Sequence, residues 1–268
     1  MPRQPRIHVV GSSPRSGTTL TFELLVSCFE IDRFGDHEIS VFKRPAAPER
    51  PFASKQPMDF VHVRRLMRWD PLLHVVYMQR DPRDVIVSQH GRYSGRYWCD
   101  FDVWQRNQDL FSGFSDHQLF ECRYEDLVVD PDRVQDALVA KFPFLLKRHN
   151  FSDFDKVSQS SQAAQLALKG VRKISASSIG KWRGDLPRIA SQLHAFPALS
   201  SYLLATGYEK DNAWADVCTG VMPNNMESVR AEHDKLRGKG RISKLTLRIF
   251  RRISTFFDQV RYIAGYSK

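Results

Sequence analysis

The chain has 268 residues, enough to bury one sizeable core, with 42% apolar residues and a formal net charge of +10. Its four cysteines, Cys28, Cys99, Cys122 and Cys218, are widely spaced without a C-x-x-C pair. That spacing argues against a zinc site or disulfide framework and for thiols in a reducing compartment. No apolar run reaches membrane-spanning length, and the first six residues, Met-Pro-Arg-Gln-Pro-Arg, lack a signal-peptide h-region. A cytoplasmic protein is the expectation.

In chain order, Ile7-His8-Val9-Val10-Gly11 reads as the first buried strand of a parallel sheet. The loop Pro14-Arg15-Ser16-Gly17-Thr18-Thr19 follows, and Leu20 to Val26 continues as a helix. A strand, a small-residue loop and a helix N-terminus form an anion cradle, because free amides and the helix dipole face the ligand. Phosphate or sulfate is therefore the expected ligand. An ATP or GTP loop would need Gly-Lys-Ser/Thr. Here Thr18 stands where that lysine belongs, and Arg15 precedes the glycine.

Strand-like runs near 6–11, 31–35, 73–79 and 118–122 alternate with helical stretches near 18–29, 58–69, 82–92 and 131–141. The order predicts an α/β fold, with a mostly parallel central sheet flanked by helices and a P-loop-like phosphate-binding loop after the first strand. The Pro-rich stretch 45–57 reads as a loop and a natural acceptor lip. After the strand 73–79, Arg80 falls at the sheet's C-terminal edge, where open α/β sheets bind ligands. Asp81 and Pro82 suit a helix start, and Ser88 is placed two turns along that helix, facing the same crevice. An arginine and a hydroxyl there suit a second phosphate group. Tyr93, Tyr97, Trp98 and Trp104 offer stacking surfaces for an acceptor or, equally, core packing.

With these motifs in order, the chain resembles the sulfotransferases that use 3′-phosphoadenosine 5′-phosphosulfate (PAPS). Residues 14–19 match the family's P-[KR]-S-G-T-T loop. The resemblance implies that Arg15, Ser16, Gly17, Thr18 and Thr19 hold the 5′-phosphosulfate. Arg80, Pro82, Asp84 and Ser88 match its R-x-P-x-D-x-x-x-S segment, which implies that Arg80 and Ser88 hold the 3′-phosphate. Arg123-Tyr124-Glu125-Asp126-Leu127 resembles a third block, whose tyrosine, here Tyr124, approaches adenine. Residues 179–183 and 206–209 resemble the closing segments. Arg15 in place of lysine, and Arg172-Lys173-Ile174 in place of R-K-G-x-x-G, point to the carbohydrate or protein-tyrosine branch over the small-phenol branch.

The implied reaction moves a sulfuryl group to an acceptor hydroxyl, on a carbohydrate or glycoconjugate, with a carboxylate base and no metal. Gly35-Asp36-His37-Glu38 follows the second strand. Glu38 is the first candidate base by resemblance, and His37 the second, by its near-neutral pKa. Lys55, in Ser54-Lys55-Gln56-Pro57, resembles a K-x-P segment of carbohydrate branches and is a candidate stabiliser, with a plain loop lysine as the alternative. Other readings are a P-loop small-molecule kinase, a sulfotransferase for small-molecule or tyrosine acceptors, and a nucleotide-binding module that recruits partners.

The charge is concentrated at one end. Residues 230–268 hold 11 Lys/Arg and 3 Asp/Glu, whereas the other 229 residues hold 29 and 27. Ile242, Leu245, Ile249, Ile253, Phe256, Val260 and Ile263 recur at helical spacing. A catalytic domain over 1–222 and a basic amphipathic helical tail over 223–268 are therefore expected. The tail either docks on the body or, through 241–263, lies peripherally on an anionic inner membrane face. No nucleic-acid module accompanies the charge, so nucleic acid is not an expected partner.

Overall fold

The computed structural model describes residues 4–229 except 47, 92, 94, 225 and 227. The expected amphipathic tail helix over 241–263 lies outside the described residues. Five strands, β1 (Arg6–Gly11), β2 (Asp32–Arg33), β3 (Phe52–Lys55), β4 (Leu73–Gln79) and β5 (Leu119–Arg123), form one sheet in the order β2-β3-β1-β4-β5. Every pairing is parallel. Among the described residues, ten α-helices accompany it: α1 (Thr18–Cys28), α2 (Phe60–Met67), α3 (Pro82–Ile86), α4 (Phe101–Phe111), α5 (Tyr124–Val129), α6 (Pro131–Lys141), α7 (Phe154–Val157), α8 (Gln162–Leu168), α9 (Leu186–Ala195) and α10 (Ala198–Ala205).

The central strands are apolar on both faces, as a sheet covered on both sides requires. Ile7 and Val9 of β1, with Val76 and Met78 of β4, join one core with Phe22, Leu24 and Leu25 of α1 and Leu138 of α6. Val10, Val75 and Tyr77 face the other way, onto Val63 and Leu66 of α2 and Phe111 of α4. The connections after β1 and β4 thus leave on opposite faces. The crevice between their C-terminal ends is a topological switch point, the favoured ligand position in open α/β sheets. A third core joins Val85 and Ile86 of α3 to Phe101 and Trp104 of α4, Ile189 of α9 and Leu199 and Leu203 of α10.

Three expectations need correction. Residues 52–55 lie within the stretch read as a loop, yet they form β3, which pairs directly with β1. Prolines 51 and 57 bracket a strand of only four residues, so the turn signal hid it. The helix expected over 82–92 ends at Ile86, leaving Ser88 beyond it. Trp104 is fully buried, and its Nε1 donates to the Arg80 carbonyl at 2.9 Å; Tyr97 is also buried and donates to Asp185 at 2.7 Å. Neither offers a stacking surface. Tyr93 and Trp98 flank His90, with ring centroids 4.8 and 3.8 Å away.

Candidate active site

Beneath the loop, the Ser12 amide donates to the Met78 carbonyl at 2.9 Å, continuing the β1–β4 ladder one residue past the strand. The Ser12 carbonyl accepts from the Asn107 side chain of α4. The Ser16 hydroxyl donates to the Ser13 carbonyl at 2.8 Å, folding the loop on itself. Gly11 permits this turn, because a Cβ there would collide with Ser16. Arg15 lies in the left-handed region at φ 73°, a conformation that costs a non-glycine residue free energy and needs support. Gly17 follows at φ 99°, and an added Cβ would stand 2.7 Å from the Tyr124 ring. Two separate constraints therefore select glycine at 17.

Gly17 caps α1 without a side-chain bond, so the first-turn amides from Thr18 onward keep their donors for a ligand. The hydroxyls of Ser12 and Ser13 are buried and have no hydrogen-bond partner among the described residues. Buried polar atoms are normally paired, so two orphans beside a helix N-terminus fit an anion.

Arg80, at the end of β4, organises the other wall. It donates to the Arg15 carbonyl at 3.0 Å and to the Ser178 carbonyl at 2.7 Å, and its guanidinium lies 4.3 Å from the Tyr124 ring centre. Its Nε is buried and unpartnered among the described residues. Arg80 thus braces the strained Arg15 backbone while keeping one donor for an anion. Arg15 itself is exposed; partial desolvation in the loop, followed by the nearby Arg80 charge, lowers its pKa. Asp84 accepts from the Gly180 and Trp182 amides at 2.9 and 3.0 Å, fastening residues 176–184 across the cleft. Arg83 adds a second clamp. It pairs with Asp81 at 2.7 Å and Glu209 at 2.5 Å, with Trp182 and Trp214 on its guanidinium.

Lys55 ends β3 with its side chain almost wholly buried, and its Nζ donates to Thr19 Oγ1 at 3.1 Å. This lysine is part of the cradle; it is not a plain loop lysine. Burial lowers its pKa, opposed by the charges of Glu38 and Glu23. Glu38 Oε1 lies 3.9 Å from Lys55 Nζ, and the Glu38 side chain is 44% exposed. The Ile39 amide donates to the Lys55 carbonyl at 2.9 Å, which pins residues 36–39 beside the end of β3. His37 is exposed on the same turn, and partial desolvation followed by the Lys55 charge lowers its pKa. Both effects disfavour its charged form.

The fold gathers Arg15, Ser16, Gly17, Thr18, Thr19, Lys55, Arg80 and Tyr124 around one loop, with Glu38 and His37 at its rim. Ser88 lies past the end of α3, its hydroxyl donating to the Asp84 carbonyl at 3.0 Å. Sequence reasoning missed the bracing role of Arg80, the Asp84 clamp and the Glu23–Arg33 pair. Glu23 is fully buried in α1 and bonded by both Arg33 terminal nitrogens at 2.8 and 2.7 Å. A lone acid four residues after Thr19 in an otherwise apolar helix was the available signal.

Residues 31–142 match a family model described as the sulfotransferase family. No curated protein matches the chain. Among solved structures, the chain is similar to the sulfotransferase domain from the curacin biosynthetic pathway. The identity is 18%, the match covers 68% of this chain and 92% of that one, and the TM-score is 0.46. The sulfotransferase domain of the Synechococcus PCC 7002 olefin synthase matches at 17% identity, 68% and 88% coverage and TM-score 0.47. The mouse sulfotransferase SULT7A1, crystallised with PAP, matches at 14% identity, 81% and 89% coverage and TM-score 0.43.

Proposed function

We propose that the protein is a PAPS-dependent sulfotransferase acting on an acceptor hydroxyl of a carbohydrate or glycoconjugate. The observation that carries this reading is the cradle at the switch point. Orphaned Ser12 and Ser13 hydroxyls, free α1 amides and the unpaired Arg80 Nε meet there, beside a buried lysine. The sulfotransferase family match over 31–142 supports it. When bound, PAPS supplies an activated sulfuryl group and a bisphosphate that can leave. The α1 amides, Arg15 and Lys55 hold the anionic oxygens of the 5′ end, in a site where preorganised donors are worth more than in water. Arg80 and Ser88 hold the 3′-phosphate, and Tyr124 lies against the adenine.

Glu38 takes the proton from the acceptor hydroxyl. Its carboxylate sits at the open rim, 3.9 Å from the lysine that faces the cradle, so an incoming hydroxyl meets base and cation together. His37 is the second reading for the base, its charged form disfavoured by desolvation and by the Lys55 charge. A kinase reading has no support from the loop, which lacks the Gly-Lys-Ser/Thr triplet at 17–19. Incubating the enzyme with PAPS and a panel of glycan, tyrosyl and phenolic acceptors tests the proposal by mass spectrometry. Gain of one sulfuryl group on a glycan supports it. Phosphate transfer from ATP, with no transfer from PAPS, contradicts it.

A further inference from the structure

The face of α2 away from the sheet presents Val61, Arg64, Arg65 and Arg68, spaced i, i+3, i+4 and i+7 on one side of the helix. Trp69, just past its end, is 65% exposed, and Leu110 of α4 faces it across a groove of about 450 Å³. Arg64 forms the groove wall, donating to the Leu110 carbonyl at 3.1 Å with its guanidinium 4.6 Å from the Phe114 ring centre. Arg65 and Arg68 form no ion pair among the described residues, and Asp70 beside them is buried against Arg6 and Arg44. The patch therefore combines uncompensated positive charge with exposed apolar side chains.

We propose that this α2–α4 face docks on an anionic phospholipid surface. Charge selects the partner's sign: three guanidiniums repel a second copy of the same patch, and they repel the basic 230–268 segment. Shape and chemistry then favour lipid over an acidic polypeptide. Both lining elements are helices, so no strand edge is offered to a peptide backbone. The indole of Trp69 beside Arg68 suits the headgroup boundary, where aromatic rings and snorkelling cations settle. Stable attachment to membranes takes more than one signal, and the 11 basic residues of 230–268 provide a second in the same chain. The face lies across the sheet from α1.

The test is co-sedimentation of the full chain with phosphatidylcholine vesicles, with and without phosphatidylserine. Variants R65E/R68E and W69A are compared with the unaltered chain, and thermal melting checks each fold. The proposal predicts salt-sensitive binding to serine-containing vesicles only. R65E/R68E should weaken it by about 25-fold or more, roughly fivefold for each guanidinium. W69A should weaken it several-fold with less change in salt dependence. Absence of binding by the full chain, which would leave an acidic protein as the partner, overturns the proposal. So does binding that survives R65E/R68E unchanged, which would place the contact entirely in 230–268.

Discussion

Around the loop 12–17 and the first turn of α1, main-chain and side-chain groups are already fixed by partners from four elements: β4 and the residue after it through Met78 and Arg80, α4 through Asn107, β3 through Lys55, and α5 through Tyr124. At residues 36–38, by contrast, three side chains stand exposed, and the backbone is held mainly through Ile39 and the Ser161 bond to the Asp36 carbonyl. The first region is preorganised for one anion. The second is an open rim, which on the proposed function leaves room for acceptors of different shape. A cleft built this way fixes the invariant half of a transfer reaction rigidly and leaves the variable half adaptable.

The sharpest way to break the rigid half is Gly17→Ala. The left-handed backbone costs an alanine about 1–2 kcal/mol, and its Cβ would strike the Tyr124 ring. Calorimetry should show nucleotide affinity reduced by more than a hundredfold. Gly91→Ala, with open space around it, should leave affinity unchanged. Equal behaviour of the two variants would remove Tyr124 and the loop from the account.

The adaptable half is tested by Glu38→Gln. Turnover should fall about a hundredfold, while bisphosphate nucleotide affinity stays within about twofold, because this side chain lies outside the cradle. Lys55→Met differs in kind. It should lower both turnover and nucleotide affinity, since Lys55 touches Thr19 as well as Glu38. If Glu38→Gln is active and His37→Ala is dead, the base is His37.

A smaller effect links the two halves from below. His8 is fully buried between Ser54 at 2.8 Å and Asp59 at 3.3 Å, and Asp59 also accepts from the Val41 amide at 2.5 Å. Burial lowers the His8 pKa, outweighing Asp59. The unfolded chain therefore binds this proton more readily than the folded one. Stability is fully present above about pH 6.5, the unfolded value, and is lost as pH falls below it. Urea titrations at pH 5.5 and 7.5 should show this slope, and His8→Asn should flatten it. An unchanged slope in His8→Asn would assign the acid sensitivity to other groups.

The smallest expected signal is chemical. Burial pushes the thiols of Cys28 and Cys122 up to about 12. At pH 8 both should react with a disulfide reagent far more slowly than Cys218, which is partly exposed. Rapid labelling of Cys122 in the native protein would mean that β5 opens readily.

Much of this site can be read in the sequence because its parts are contiguous strings. The strand, turn and helix of residues 6–28 state their periodicity directly, and Arg80-Asp81-Pro82 announces a strand end and a helix cap together, which the Asp81 bond to the Arg83 amide realises. Lys55 was legible as a residue but not as a strand end, since four residues between prolines carry too little pattern. The helix stops at Ile86 because residues 88–90 pair with 96–98, through the Gln89–Tyr97 bridge and the His90 amide on the Arg96 carbonyl, which no helical periodicity reports. Trp104 was assigned to either surface or core, although Phe101, Trp104 and Phe111 share a helical face that the structure buries. The bracing contacts of Arg80 and Asp84 span 98 residues to Ser178 and Trp182, and no local pattern reports a pairing of that range.

The central claim is that the cradle and Arg80 together recognise two phosphate groups on one nucleotide. Isothermal titration with adenosine 3′,5′-bisphosphate and with AMP tests it most directly, in the unaltered protein and in Arg80→Ala. Much tighter binding of the bisphosphate is expected. Arg80→Ala should lose most of that preference, a change of about 2–5 kcal/mol for a buried charge-assisted contact. Equal affinity for the two nucleotides in the unaltered protein would contradict it.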